Sequence, residues 1–269
     1  MSISSADYLA YKTTDPIEIN GDLTKPVWTS ARKSKRFVDM ATGGPALYNT
    51  RSACLWDNKN LYVAFWVEEP FVSADLTRRD DIIFRENDVE IFIDGGDCYY
   101  ELELNALGTI YEMMFIWRDA YKRGGRFDAP EFDLIDQHAY SFGGDFDRQP
   151  EFFWDGIHPR GTRWAFRNYD MEGLRVGVQV QGKINDPNHV DEGWTAEVAI
   201  PWKSLHWLAD GRSLPPQKGD EWKIFFGRFQ KLMNAGQEVS PHPAWVLKPH
   251  GKYDTHQPEQ FPVVRFVDG

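Results

Sequence analysis

Acidic side chains spaced two residues apart pose the first chemical question. Residues 84–105, FRENDVEIFIDGGDCYYELELN, carry Asp88, Glu90, Glu101, Glu103 and Asn105 at alternate positions. Side chains alternate between the faces of a strand, so these fall in one row with Phe92 and Tyr99. Val89, Ile91, Ile93, Cys98, Tyr100, Leu102 and Leu104 fall in the other, which suits a core. The acidic row is a set of acceptors, the groups that hold sugar hydroxyls. Paired carboxylates also do acid–base work on glycosidic bonds. With Gly95-Gly96 as a two-residue turn, Glu90 faces Glu101 and Asp88 faces Glu103. Like charges so placed cost a sheet up to about 1 kcal/mol each. A cation, a nearby Arg or Lys, or a hydroxyl-rich ligand offsets that cost; a solvated outer face is the plain alternative.

Short strands must position this row. Alternating patterns predict strands at 51–56 and 61–67, with a turn at 57–60, and at 174–181, 194–200, 221–230 and 263–267. A further short strand is expected within 17–29, ahead of Trp28. Residues 108–117, GTIYEMMFIW, are expected to return beside 99–105, with Tyr111, Met113, Phe115 and Trp117 in the core and Glu112 joining the acidic row next to Glu101. Pro201 opens one short helix over 203–209. From 118 to 169 the periodicity fails, and Gly, Asp, Arg and aromatics crowd together; this reads as an ordered insertion that covers a face or rims a site. The whole predicts an all-β fold, an antiparallel β-sandwich of two sheets (jelly-roll or immunoglobulin-like). It is one domain over 1–269, with a long insertion at about 118–169 and one short helix.

Composition narrows the partners. The 41 acidic residues against 30 basic give a formal charge of −11 without a sustained Lys/Arg run, which argues against nucleic acid and anionic membrane. Eleven Trp, 11 Tyr and 18 Phe exceed what core filling requires, leaving rings for stacking on pyranose faces. Cys54 and Cys98 read as buried thiols, a disulfide between them being the alternative. Without an apolar leader or membrane-spanning stretch, the chain as it stands reads as cytoplasmic, with a trimmed secreted form as the alternative. No GxSxG, HExxH, paired CxxC or P-loop pattern occurs, so nucleophilic serine, zinc and nucleotide chemistry lack support.

Further candidates lie in loops. Phe84, an apolar ring among Arg78, Arg79, Asp80, Asp81, Arg85 and Glu86, is a candidate platform, a lid over the core being the alternative. Arg79 is a candidate contact for a ligand carboxylate, surface ion pairing being the commoner role. Asp186, Asn188 and Asp191 concentrate the oxygen ligands that calcium takes, without EF-hand spacing.

Several fragments, in order, resemble the family 9 carbohydrate-binding modules: IEINGDLTKPVW, LWDNKNLYVAFWVEEP, NDVEIFID followed by YYELELN, GWTAEVAIPWKSL, GDEWKIFFGRFQ and HQPEQF. The free-standing family 9-like proteins, which carry a long central insertion, are especially similar. The resemblance implies a β-sandwich that holds a sugar between two aromatic rings, with calcium ions supporting loops. Its ligand-binding Glu matches Glu90, and one stacking Trp falls on Phe84. The polar residues on the neighbouring strand match Glu103 and Asn105, Glu103 standing where those modules have Arg. The second stacking position falls near Thr255, making Tyr253 and Trp245 candidates, with His256 beside them. The expectation is non-catalytic binding of a sugar or oligosaccharide in plant-polysaccharide use, by stacking and by hydrogen bonds from Glu90, Glu101, Glu103 and Asn105. Rival expectations are a glycoside hydrolase or polysaccharide lyase using Glu90, Glu101, Glu103 or Glu112, and a haem-binding sandwich, for which Met113 points the wrong way.

Overall fold

The computed structural model describes residues 6–143 and 158–269; the remaining part of the 118–169 insertion, 144–157, lies outside the described residues. In chain order the strands are β1 (Tyr8–Lys12), β2 (Val38–Asp39), β3 (Thr50–Trp56), β4 (Asn60–Glu68), β5 (Asp88–Asp94), β6 (Cys98–Leu104), β7 (Ile110–Trp117) and β8 (Tyr140–Phe142). They continue with β9 (Arg163–Phe166), β10 (Arg175–Gln181), β11 (Gly193–Pro201), β12 (Glu221–Phe229), β13 (Met233–Asn234), β14 (Gln237–Glu238), β15 (Ala244–Val246) and β16 (Val263–Val267). The first sheet runs β10-β11-β4-β3-β1-β16, and the second runs β12-β5-β6-β7-β9-β8 with β15 and β2 beyond β12. Strand β12 belongs to both: Glu221–Lys223 pair with β16, and Ile224–Phe229 pair with β5.

The sheets face each other across the main core. Val63, Phe65, Val67, Trp194, Ala196 and Val198 of the first meet Val89, Ile91, Ile93, Tyr100, Leu102 and Leu104 of the second. Each such aliphatic or Phe side chain contributes about 1.5–3 kcal/mol by leaving water. The apolar row of 84–105 therefore lies where alternation puts it, and a β-sandwich results. Cys54 and Cys98 are free and buried. Among the described residues no helix is long and apolar enough to cross a membrane.

Three expectations need correction. The sandwich is not wholly antiparallel, because β1 runs parallel to both β16 and β3. No strand forms within 17–29; instead Pro26–Thr29 make a short helix beginning on proline, and Trp28 packs against the outer face of the first sheet. The predicted helix after Pro201 is a 3-10 helix, Trp202–Leu208. The insertion, for its part, supplies β8 and β9, which widen the second sheet.

Glu197 of β11, fully buried, fastens the segment around residues 17–28. It accepts from the backbone N–H groups of Asn20 (2.9 Å) and Gly21 (2.8 Å), the Lys25 ammonium (2.7 Å) and the Trp28 indole N–H. A buried carboxylate so supplied repays its desolvation; an apolar residue there leaves two backbone donors stranded. Glu197→Ala is expected to cost about 2–3 kcal/mol and to free this segment first. Limited proteolysis followed by mass spectrometry would locate the first cut, and cutting elsewhere at wild-type stability contradicts the assignment.

Candidate ligand-binding site

The acidic row lies on the outer face of the second sheet, in a register that differs from the expected one. Asp94 pairs with Tyr99, so residues 95–97 form the loop, closed by Gly95 N–H to the Cys98 carbonyl (2.8 Å), with Gly96 at φ +73°. Glu90 consequently stands opposite Glu103, and Glu101 opposite Phe92. The slide is by two residues, which preserves the faces.

The second correction changes the chemistry. Leu104 pairs with Ile110 and Leu102 with Glu112, so Glu112 points into the sandwich and Tyr111, Met113, Phe115 and Trp117 point outward. The loop 105–109 decides this. Asn105 Oδ1 accepts the N–H groups of Leu107 and Thr109 (both 3.0 Å), while its amide donates to Leu76 O (2.9 Å) and Glu86 Oε1 (2.6 Å). Asn105 is thus a loop clamp with its hydrogen-bonding capacity spent, not a ligand contact. Glu112 accepts from the Tyr100 hydroxyl (2.6 Å) and Met171 N–H (3.0 Å) and pairs with Arg79. Arg79 also binds Asp170 (2.5 Å), so it serves the inner face, away from the acidic row.

A strip crosses the outer face in register: Tyr111, Glu103, Glu90, Gly227 and Val246. Gly227 has no room for a side chain, since a Cβ there would come 2.5 Å from the Phe225 ring, which takes that place, and 3.5 Å from Glu90 Oε2. Asp88 and Glu101 flank the strip, and all four carboxylates are buried. Asp88 Oδ1 accepts Phe229 N–H (3.1 Å), but Asp88 Oδ2, Glu90 Oε2 and Glu103 Oε2 have no hydrogen-bond partner. Burial, then mutual repulsion, raises Glu90 and Glu103 well above the ordinary carboxylate range. Burial pushes Glu101 up to about 8, although a proton shared with Glu103 favours its ionised form.

Rings close both sides. Phe84, 43% exposed, stands edge-on to Tyr111 with centroids 6.1 Å apart, and Tyr140 of β8 is exposed nearby. Opposite, Tyr253 stands edge-on to Phe229 at 5.9 Å and donates its hydroxyl to His242 O (2.6 Å). Beyond Tyr253 opens a cavity of about 450 Å³ lined by Asp39, His242, Ala244, Gly251 and Lys252. Of the expected residues, Phe84, Glu90, Glu101, Glu103 and Tyr253 are brought together here.

Others are elsewhere. Trp245 pairs with Arg228 and faces the main core, 3% exposed, with the Arg228 guanidinium 5.0 Å from its ring; it cannot stack a ligand on the outer face. His256 packs farther along, against Phe92, Tyr99, Phe115 and Phe142, with Nδ1 3.1 Å from the Tyr99 hydroxyl. Burial and the Arg163 charge keep that imidazole neutral. Met113, expected in the core, lies outward beneath the Tyr140 hydroxyl. Asp191 accepts from Val72 N–H (2.8 Å), Lys183 N–H (2.7 Å) and His189 (2.7 Å), and Asp186 accepts from Asn188 N–H (3.0 Å). These oxygens tie loops together; among the described residues no group of three or more Asp, Glu, His or Cys side chains is arranged for a metal.

Sequence reasoning missed Tyr111, Tyr140, Phe229 and Gly227. A glycine inside the otherwise bulky run EWKIFFGRF was the available signal for the last.

No protein-family model matches the chain, and no curated protein matches it. Its fold does match solved structures over nearly its full length. A candidate carbohydrate-binding protein of Bacteroides uniformis aligns with TM-score 0.56 at 14% identity, covering 96% of this chain and 97% of that one. A family 9 carbohydrate-binding module of Caldicellulosiruptor kristjanssonii in complex with cellotriose aligns with TM-score 0.51 at 13% identity, covering 97% and 94%. The same module in complex with glucose gives 0.50 at 14%, covering 97% and 95%. The architecture is that of the family 9 carbohydrate-binding modules.

Proposed function

We propose that this protein binds a sugar without cleaving it, on the outer strip between Phe84 and Tyr253. One observation carries the reading: three buried carboxylate oxygens, on Asp88, Glu90 and Glu103, lack hydrogen-bond partners on a face bordered by rings. A buried acceptor without a donor is costly, and sugar hydroxyls are donors. Rings at the two sides would meet the apolar faces of a pyranose. That the Caldicellulosiruptor module of like fold was solved with cellotriose and with glucose supports the same reading.

Titration calorimetry with neutral and amino sugars and their oligomers tests it. Phe84→Ala and Tyr253→Ala are each expected to weaken binding about tenfold, or about 1.4 kcal/mol. Tyr253→Phe, which keeps the ring, should bind as wild type. Affinity unchanged in both alanine variants would move the site elsewhere. A second reading, glycosidic cleavage, is favoured by Glu101 and Glu103 lying buried on one face, where burial raises both carboxyls above the ordinary range as an acid–base pair requires. Product that accumulates with wild type but not with Glu101→Gln would establish it.

A further inference from the structure

The sign of the charge on the strip says more about the ligand than its hydrogen bonds do. Asp88, Glu90, Glu101 and Glu103 crowd one buried face, and among the described residues the neighbouring cations are committed elsewhere. Arg228 lies on the inner face, held by Thr50 Oγ1 (2.9 Å), Glu68 O (2.9 Å), Gln230 and Glu69. Arg79 serves Glu112 and Asp170, and Arg78 serves Asp81. Arg167 donates to Asp80 O, and Lys252 pairs with Asp254. Among the described residues the groups acting on Glu90 beside its burial are acids, Asp88 and Glu101. A neutral sugar would satisfy lone pairs here but do nothing to favour the ionised form that burial and mutual repulsion disfavour.

Resting on the sugar-binding reading, we propose that the sugar is cationic: an amino sugar whose ammonium group sits over Glu90 and Glu103. An ammonium supplies three donors and a full positive charge, against one donor from a hydroxyl. Three orphaned oxygens, on Asp88, Glu90 and Glu103, match that number.

Proton bookkeeping follows from the same geometry. The ionisable groups facing the strip are Asp88 on β5, Glu101 on β6, Tyr111 on β7, Tyr140 on β8 and Tyr253 on the opposite loop, with Arg167 acting on Tyr111 and Tyr140 and with Glu86 and Arg228 acting on Asp88. A cation entering this set favours the ionised carboxylates, so binding releases protons to solvent.

The experiment is calorimetry at pH 7 on the full chain with three ligands of equal length: cellotriose, the glucosamine trisaccharide and its fully N-acetylated form. The glucosamine trisaccharide is expected to bind at least about tenfold more tightly than cellotriose, and N-acetylation should remove the gain. Enthalpies measured in buffers of different ionisation heat should report proton release for the amino ligand. The preference should vanish in Glu90→Gln/Glu103→Gln, whose folding is checked by its thermal transition. Cellotriose binding as tightly as the amino ligand would overturn the charge assignment while leaving sugar binding intact. Failure of all three to bind would overturn both.

Discussion

Glu90→Gln/Glu103→Gln is expected to fold more stably than wild type at pH 8 while losing the preference for an amino sugar. Each wild-type carboxyl binds its proton more tightly in the folded chain than in the unfolded one, because burial and neighbouring acids disfavour the charge. Where the native state holds more protons, stability falls as pH rises. The carboxyl contribution is therefore complete below the unfolded value. For Glu101 it is lost between the ordinary 4.5 and about 8, at about 1.4 kcal/mol per unit. Glutamine keeps the shape, removes two ionisations and turns an amide donor toward Asp88 and Glu101. A gain of about 2–4 kcal/mol at pH 8, shrinking toward nothing near pH 5, is the expected difference between the two denaturation profiles. Parallel profiles at all pH values would mean these carboxyls are not strained by burial. A site kept at such a cost is what a binding function would retain.

Arg228→Met should destabilise the fold by about 3–5 kcal/mol, the usual cost of stranding one partner of a buried ion pair. Arg228 is 1% exposed, and Glu69 beside it is equally buried. Their charged atoms approach to 3.5 Å, with Trp194 Nε1 (2.8 Å) and Asn87 completing the shell of Glu69. Even with the guanidinium present, burial raises Glu69 above its ordinary range, and desolvation lowers Arg228 to about 10. Without Arg228, Glu69 must protonate or break its surroundings. Adding Glu69→Gln should recover most of the loss, a coupling that urea denaturation of the four proteins in a double-mutant cycle measures directly. A single-variant cost below about 1 kcal/mol would show the pair to be dispensable.

These two expectations draw on one feature of the second sheet. Its inner face carries a neutralised, hydrogen-bonded ionic network, and its outer face carries carboxylates with spare acceptors. Arg228 and Gly227 are neighbours in sequence yet serve the two sides, one balancing charge within the sandwich and the other giving up its side-chain place to the Phe225 ring on the outer face.

Much of this was written locally. Alternation along 88–94 and 98–104 assigns Glu90, Glu101 and Glu103 to one face and their aliphatic neighbours to the core, whatever the exact pairing, because the side-chain period of a strand is two. For that reason the hairpin register slid without disturbing the row. The turn at 57–60 and strands β3, β4, β10, β11, β12 and β16 were legible on the same grounds. What local pattern cannot decide is how one strand's parity meets the next, since that depends on how many residues a loop spends and what clamps it. Asn105 closes 105–109 so that Leu104 meets Ile110, sending Glu112 inward and Tyr111 outward. Trp245 likewise turned to the core because its partner across the ladder is Arg228. The sequence alone determined which side chains keep company along each strand. Only the tertiary structure decided which strands' faces meet, and so which acids are balanced and which still await a partner, because pairing across strands is settled by loops and long-range hydrogen bonds.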